Sequence, residues 1–183
     1  MTSFTSSTPL PRRSFCAQSG LLLGGLFLHS QGLSQPTSNE NRLALGFDNF
    51  SIRALGWKAE RLIEYADQQK VDSLLFSDLQ VYDSHDKQYL RDIGKEAQSK
   101  NLILHAGTGG ICPTSQSFKD TYGSAEEHLQ LLVETANAVG SNVARCYLGS
   151  MKDRKGPGGI SKHVDSTLAI LKKIRPRALD LGV

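Results

Sequence analysis

The chain has 183 residues, of which 21 are Lys or Arg and 18 are Asp or Glu, so its formal net charge is +3. Hydrophobic residues make up 39% of the chain, which predicts an ordinary folded domain and excludes a disordered polymer. The small charge is spread along the sequence without a basic stripe, so a nucleic-acid partner is not expected.

The first 32 residues have the layout of a secretory signal. Arg12 and Arg13 are followed by Phe15, then by the apolar run 20–28, and then by small and polar residues. This order resembles a twin-arginine export signal, and the apolar run is too short to span a bilayer. We predict a signal over 1–32, a linker over 33–42, a domain over 43–183 and a periplasmic location. A poorly ordered tail or an uncleaved amphipathic anchor is the alternative.

The three cysteines do not form a metal-binding pattern. The sequence contains no C-x-x-C motif, and its cysteines, Cys16, Cys112 and Cys146, lie far apart. A metal site built from thiolates is therefore not expected. Export would place Cys112 and Cys146 in an oxidising compartment, where a disulfide can form. Because nothing in the sequence brings the two together, we expect two unpaired, buried thiols.

After residue 42, short apolar runs alternate with helical patterns. Strands are predicted at 43–47, 73–77, 102–106 and 142–148. The segments after them carry apolar residues at helical spacing. These residues are Ala59, Leu62, Ile63 and Ala66; Leu90, Ile93 and Ala97; Leu129, Leu132, Val133 and Ala136; and Val164, Leu168, Leu171 and Ile174. The alternation predicts βαβ units and a parallel sheet, which is an α/β fold.

Local signals mark the ends of two helices. Ser124 and Glu127 form a capping-box pattern at the start of the third helix, and Gly140 predicts its end. Pro176 is expected to close the fourth helix, and residues 181–183 are expected to begin a fifth strand. About 150 residues follow the predicted signal, against about 250 in a typical (β/α)8 barrel. A partial barrel of about four βα units and an open doubly wound sheet both fit this count.

Four segments carry a resemblance to a known family: Lys70–Phe76, Asn101–Gly107, Arg145–Gly149 and Arg177–Val183. Together with the spacing of the units, they resemble the xylose isomerase-like TIM-barrel superfamily, which includes sugar phosphate isomerases and epimerases. The resemblance covers nearly all of residues 43–183. It implies the amino-terminal part of a (β/α)8 TIM barrel that acts on a sugar or sugar derivative.

The same resemblance limits what this chain can do by itself. Family enzymes hold a divalent metal with carboxylates and a histidine from strands five to eight, and the first of these ligands would lie just beyond Val183. We therefore expect a chain truncated before the metal-ligand strands and inactive alone. The complete form would be a metal-dependent sugar isomerase or epimerase. The resemblance assigns neither a metal ligand nor a catalytic acid or base within this sequence.

Active sites of barrel enzymes are built at the carboxyl-terminal ends of the strands, and two candidate sugar-binding residues lie near such ends. His105 is expected to end the third strand, where a neutral imidazole could contact a substrate or a metal. The alternative is a hydrogen-bonded histidine that lines the barrel mouth. Asp78 follows the second strand and could accept bonds from two sugar hydroxyls. It could equally cap a helix or a loop.

Two further candidates lie in the fourth strand. Arg145 cannot lose its charge, so it needs a carboxylate or a ligand anion. A structural ion pair with Asp78 or Asp48 is at least as good an interpretation as substrate contact. Tyr147 shares the face of Arg145 by alternation and could lie beside a sugar, or it could be an ordinary core tyrosine.

Two glycine-rich segments do not match a nucleotide-binding motif. Gly107–Gly110 fails the G-x-G-x-x-G fingerprint because Cys112 stands at the third glycine and Pro113 follows. We predict a flexible loop over the barrel mouth there. Residues 156–159 form a second such loop, whose neighbour Lys155 could attract an anionic substrate.

Two other interpretations stay open. The first is a non-catalytic carbohydrate-binding or assembly module, in which the exposed edges of a half barrel pair with a partner and give a homo-oligomer. The second is a complete, small flavodoxin-like α/β protein that binds a small anion. The first predicts dimers without metal dependence, and the second predicts a monomer with both sheet faces covered.

Overall fold

The computed structural model describes residues 42–183, and the predicted export signal with Arg12, Arg13 and Phe15 lies outside the described residues. Four strands are present: β1 (Gly46–Asp48), β2 (Ser73–Phe76), β3 (Ile103–Gly110) and β4 (Ala144–Tyr147). They alternate with four α-helices: α1 (Ala59–Gln68), α2 (Lys87–Ser99), α3 (Ala125–Ala138) and α4 (Gly159–Asp180). Short 3₁₀ helices at Asn49–Leu55, Leu79–Val81 and Met151–Lys155 follow β1, β2 and β4. The predicted alternation of strands and helices is confirmed.

The strand order distinguishes the two architectures that the sequence left open. All pairs are parallel, and the order in the sheet is β1-β2-β3-β4, the same as in the chain. A doubly wound sheet reverses direction at a switch point, whereas barrel strands follow one another in sequence. Each helix contacts the next one along the chain, as expected when right-handed crossovers put all helices on one side. The described chain is therefore a partial TIM barrel, and the flavodoxin-like interpretation is wrong.

The hydrophobic core lies between the sheet and the first three helices. Phe76, Leu74 and Ile63 are completely buried in it, and the predicted apolar faces of α1, α2 and α3 all point into it. The Ser124–Glu127 capping box is confirmed at the start of α3. Its reciprocal hydrogen bonds satisfy backbone N–H groups that have no partner within the helix. No helix among residues 42–183 is long and apolar enough to cross a membrane.

The fourth helix differs from its prediction. It continues through Pro176 to Asp180, although we expected Pro176 to close it. Proline removes one backbone donor, and the carbonyl that loses its partner belongs to the exposed residue Lys172. The helix ends at a turn where Gly182 has φ of 72° and the Val183 N–H donates to the Ala178 carbonyl. Residues 181–183 therefore form a cap and not the first part of a fifth strand.

The Gly107–Gly110 segment is the second correction. It belongs to β3 and is not a flexible loop, because β4 pairs with it and the neighbouring strands approach closely. A Cβ atom on Gly107 would lie 2.8 Å from the Phe76 carbonyl oxygen. Glycine is thus required here for close packing between strands.

We expect Gly107→Ala to lower the free energy of unfolding by about 1–3 kcal/mol, because the added methyl group overpacks the sheet. Gly109→Ala is the matched control in the same strand, since its Cβ would meet only the Tyr147 side chain at 3.5 Å. Urea unfolding followed by circular dichroism measures both. Equal stabilities of the two variants would contradict the close approach at Gly107.

Candidate functional site

The two faces of the sheet have different environments. Leu74, Phe76, Leu104 and Ala106 point towards the helices and are buried. The residues between them, such as Ile103, point to the side without helices. The register pairs Asp48 with Leu75, Leu75 with His105, and Gly107 with Arg145. We call the uncovered side, which bears Asp48, Leu75, His105, Arg145 and Tyr147, the concave face.

An ion pair connects the two outermost strands across the concave face. Arg145 Nη2 on β4 donates to Asp48 Oδ2 on β1 at 3.0 Å. In a flat sheet, β1 and β4 would be separated by three inter-strand distances, roughly 14 Å. The ion pair therefore indicates that the sheet curves towards the concave face. The predicted ion pair of Arg145 is confirmed, and its partner is Asp48 and not Asp78.

Further hydrogen bonds fix the orientation of both charged groups. Arg145 Nη1 donates to the Thr108 carbonyl at 3.3 Å. Asp48 Oδ1 accepts from the Phe50 N–H at 2.8 Å, and this bond caps the first 3₁₀ helix. The guanidinium is therefore held by two strands, while about a third of each charged side chain stays accessible to solvent.

Tyr147 lies next to Arg145, as its position two residues further along the strand predicts. The Arg145 guanidinium carbon is 5.8 Å from the centre of the Tyr147 ring, within the range of a cation–π contact. Half of Tyr147 is exposed. Its hydroxyl lies over Gly109, and a Cβ atom on Gly109 would be 3.5 Å from the hydroxyl oxygen. The absence of a side chain at Gly109 therefore makes room for the Tyr147 ring.

His105 points to the same face but lies deeper than predicted. It is the third residue of β3, which continues to Gly110, so it does not end the strand. Its Nδ1 atom is buried and has no hydrogen-bond partner among residues 42–183. A buried polar atom without a partner is costly, and because His105 Nδ1 has almost no contact with solvent, a ligand or a water molecule could reach it only after a local rearrangement. A sugar contact by His105 stays a prediction.

Asp78 is separated from this group. Its carboxylate accepts from the Gln80 N–H at 2.8 Å and caps the second 3₁₀ helix, which is the alternative role that the sequence suggested. It lies near Tyr122 and His128 instead of Arg145. Burial raises the pKa of Tyr122 to about 12, and the Asp78 charge adds to this rise.

His128 completes this second cluster. Its Nε2 lies 2.6 Å from Thr108 Oγ1, and its ring is tilted against that of Tyr122 at 4.9 Å between centroids. Burial lowers the pKa of His128, while Asp78 acts in the opposite direction. Sequence analysis missed both aromatic residues, because neither lies in a motif or at the end of a strand.

The loop after β3 is anchored by a buried carboxylate that the sequence did not reveal. Asp153 accepts from Ser115 Oγ at 2.7 Å, from the Gln116 N–H at 3.0 Å and from the Ser150 N–H at 2.6 Å. These donors hold the pKa of Asp153 well below its usual range. The carboxylate thereby joins the loop after β3 to the loop after β4.

A cysteine and a histidine join the same loop to α4. Cys112 Sγ is 3.6 Å from His163 Nδ1 and 3.2 Å from Thr114 Oγ1. Burial alone would raise the pKa of the Cys112 thiol, but hydrogen bonds from Thr114, Thr167 and His163 outweigh it and hold the pKa at about 7. Cys112 and Cys146 are both free, as expected, although Cys146 is only partly buried.

We expect the Cys112 thiol to ionise at about pH 7 in the folded protein. In a Cys16→Ser, Cys146→Ser variant, the ultraviolet absorbance of the thiolate should titrate there, and His163→Asn should move the midpoint upwards. The same variant in denaturant provides the control, since an unperturbed thiol titrates near pH 8.5. Identical midpoints for folded and unfolded protein would contradict this assignment.

The described residues do not fit a divalent metal. Among residues 42–183, no three side chains of His, Cys, Asp or Glu are grouped so that they could hold an ion. Asp48 is the only carboxylate in the four strands, and both of its oxygens are already engaged by Arg145 and by the Phe50 N–H.

Comparison with known proteins supports the fold. No protein-family model matches the chain, and no curated protein matches it. Among solved structures, D-psicose 3-epimerase crystallised in the presence of D-fructose matches with a TM-score of 0.54 and 16% sequence identity. The match covers 75% of this chain and 49% of the epimerase chain, so the chain spans about half of its length. This likeness establishes a shared arrangement of βα units, whereas function depends on the residues of the site.

The Asp48–Arg145 pair should contribute measurably to stability. We expect a coupling free energy of about 1 kcal/mol in a double-mutant cycle of Asp48→Asn and Arg145→Met, because the pair is half-buried and supported by further hydrogen bonds. Asp92 and Lys95 on α2 form the matched control, since both are more than half exposed and should couple by no more than about 0.5 kcal/mol. Urea unfolding of the single and double variants gives both values, and equal coupling in the two cycles would refute the special role of the Asp48–Arg145 pair.

Proposed function

We propose that this chain forms the amino-terminal, sugar-binding part of an exported isomerase- or epimerase-like barrel. The observation that carries the proposal is the order of four parallel βα units, which match half of the D-psicose 3-epimerase chain. The concave face supports it, because Asp48 and Tyr147 are the last residues of β1 and β4, at the end of the strands where barrel enzymes bind their substrates.

Arg145 is the central residue of the proposed sugar site. Its guanidinium has five N–H donors, and two of its nitrogens are engaged by Asp48 and the Thr108 carbonyl. The remaining donors are available to a hydroxyl or carbonyl oxygen of a sugar. Because the ion pair fixes the orientation of the group before binding, little side-chain entropy is lost when the ligand is bound.

Tyr147 and His105 complete the proposed contacts. The half-exposed Tyr147 ring offers an apolar surface to the C–H groups of a sugar and a hydroxyl to its oxygens. His105 Nδ1 has no hydrogen-bond partner among residues 42–183, and a local rearrangement that exposes it would let it form one hydrogen bond with the sugar. Asp78 caps the loop that follows β2 and supports the rim of the site from the second cluster.

The catalytic groups of the proposed complete enzyme would lie on further strands. A divalent metal, where present, would polarise a carbonyl or hydroxyl oxygen, and its ligands would come from the part of the barrel that β1–β4 do not form. Export through the twin-arginine pathway to the periplasm is part of the same proposal. It is supported by the order of Arg12, Arg13, Phe15 and the apolar run 20–28.

A non-catalytic carbohydrate-binding module is the second candidate. The occupied carboxylate of Asp48 favours it, because the four strands then leave no free carboxylate to move a proton. The two candidates share the sugar site and differ in turnover. Isomerisation of a sugar bound to the protein would exclude the second candidate.

We expect Arg145→Met to weaken binding of D-fructose or D-psicose at least tenfold, measured by saturation-transfer NMR on the purified full chain. Tyr147→Ala should weaken it less and lower the free energy of unfolding by only about 1 kcal/mol, because half of the ring is exposed. Arg91→Met on the outer surface of α2 is the matched control and should bind like the parent protein. Unchanged binding in both site variants, or no binding of either sugar by the parent, would refute the proposed site.

A further inference from the structure

Thr108 lies at an irregularity in the pairing of β3 with β4. Gly107 pairs with Arg145, whereas Gly110 pairs with Tyr147, so β3 takes three steps where β4 takes two. One extra residue in a strand is a β-bulge, which interrupts the ladder of backbone hydrogen bonds and redirects the groups around it. At this bulge, the Thr108 carbonyl accepts from Arg145 Nη1 at 3.3 Å. The backbone of Thr108 is therefore one of the acceptors that hold the guanidinium.

The side chain of Thr108 is bound from the other side of the sheet, where the helices lie. Its Oγ1 atom is 2.6 Å from Nε2 of His128 on α3. Both residues are almost inaccessible to solvent, with exposures of 1% for Thr108 and 5% for His128. His128 therefore holds the side chain of the same residue whose carbonyl holds Arg145.

The ring of His128 has little freedom to move. Tyr122 packs against it at 4.9 Å between ring centroids. Among residues 42–183, its Nδ1 atom is buried without a partner, so the contact with Thr108 is the only hydrogen bond of the ring there. We assign the proton to Nε2, because the Nε2–H then donates to Thr108 Oγ1, whereas the other tautomer would leave a buried N–H without an acceptor. A ring restricted by packing and by one directed hydrogen bond keeps Thr108 in one position.

These contacts form a continuous path from α3 to the concave face. The Arg145 guanidinium donates to Asp48 Oδ2 at 3.0 Å and to the Thr108 carbonyl. Two acceptors in different strands fix both its position and its rotation, whereas one acceptor alone would leave the rotation free. A group that must be ordered during binding loses entropy and gives a weaker complex.

We propose that His128 is a positioning residue of the sugar site, which acts through Thr108 on Arg145 and does not touch the sugar. This role rests on the proposed function, because Arg145 is the residue that would bind the sugar. It predicts that sugar affinity depends on a buried hydrogen bond on the helix side of the sheet.

Sugar affinity of conservative variants tests this inference, with D-fructose and D-psicose as ligands and saturation-transfer NMR on the purified full chain as the measurement. Thr108→Val removes the hydroxyl and keeps the shape of the side chain, and it should weaken binding about threefold to tenfold. His128→Leu should weaken binding to a similar extent. The double variant should bind no more weakly than the weaker single variant, because both changes break the same contact.

Variants that keep the hydrogen bond should keep the affinity. Thr108→Ser retains the hydroxyl and His128→Gln retains an N–H donor, so both should bind the sugars nearly as tightly as the parent. Thr135→Val on α3 is the matched control, because Thr135 is also 1% exposed and its hydroxyl has no hydrogen-bond partner among residues 42–183. Additive losses in the double variant, an equal loss in Thr135→Val, or a loss in the two conservative variants as large as in Thr108→Val would overturn the proposal.

The orientation of Arg145 is measured without a sugar. In proton–nitrogen NMR spectra of the guanidinium groups, assigned by comparison with Arg145→Met, a fixed group gives separate Nη signals and a rotating group gives one averaged signal. We expect separate signals in the parent and in Thr108→Ser, and an averaged signal in Thr108→Val and in His128→Leu. Separate signals in all four proteins would overturn the positioning role. If neither sugar binds to the parent, the proposed function is refuted, and these spectra still decide whether His128 positions Arg145.

Discussion

The side on which the chain crosses between neighbouring strands determines most of this structure. Each βαβ crossover joins adjacent parallel strands, and the right-handed rule puts every helix on the same side of the sheet. The apolar core therefore lies between that side and the helices, mainly α1–α3 with Ile174 of α4, and Phe76 and Leu74 within it are inaccessible to solvent. The other side receives no helix, so its residues are either polar or left partly exposed. A half barrel, unlike a doubly wound sheet, cannot cover both of its faces by itself.

This constraint explains why a charged pair lies at the centre of the concave face. An arginine inside a closed core would carry a large desolvation cost, whereas Arg145 is still about a third exposed and is bound by Asp48 and the Thr108 carbonyl. The glycines of β3 have two roles beside it: Gly109 leaves room for the Tyr147 ring, and Gly107 lets the backbones of the neighbouring strands approach closely. Gly107 thus allows close contact between the strands, while the neighbouring concave face stays open and polar.

Helical periodicity and strand alternation were sufficient to predict the fold class. The apolar faces of α1–α3 are predictable because each is buried on one side only, which is the situation that the spacing rule describes. The same spacing predicts α4, in which Ile174 is buried while Val164, Leu168 and Leu171 stay partly exposed. By contrast, Gly107–Gly110 was misassigned. Glycine usually indicates a loop, and only the contact with Phe76 and the neighbouring strands shows that it is needed in β3.

The candidate site was predictable in part, because alternation places Arg145 and Tyr147 on one face and the charge of Arg145 calls for a carboxylate. The clusters around His128, Asp153 and Cys112 depend on contacts between loops and helices that are distant in sequence, so no local pattern reveals them.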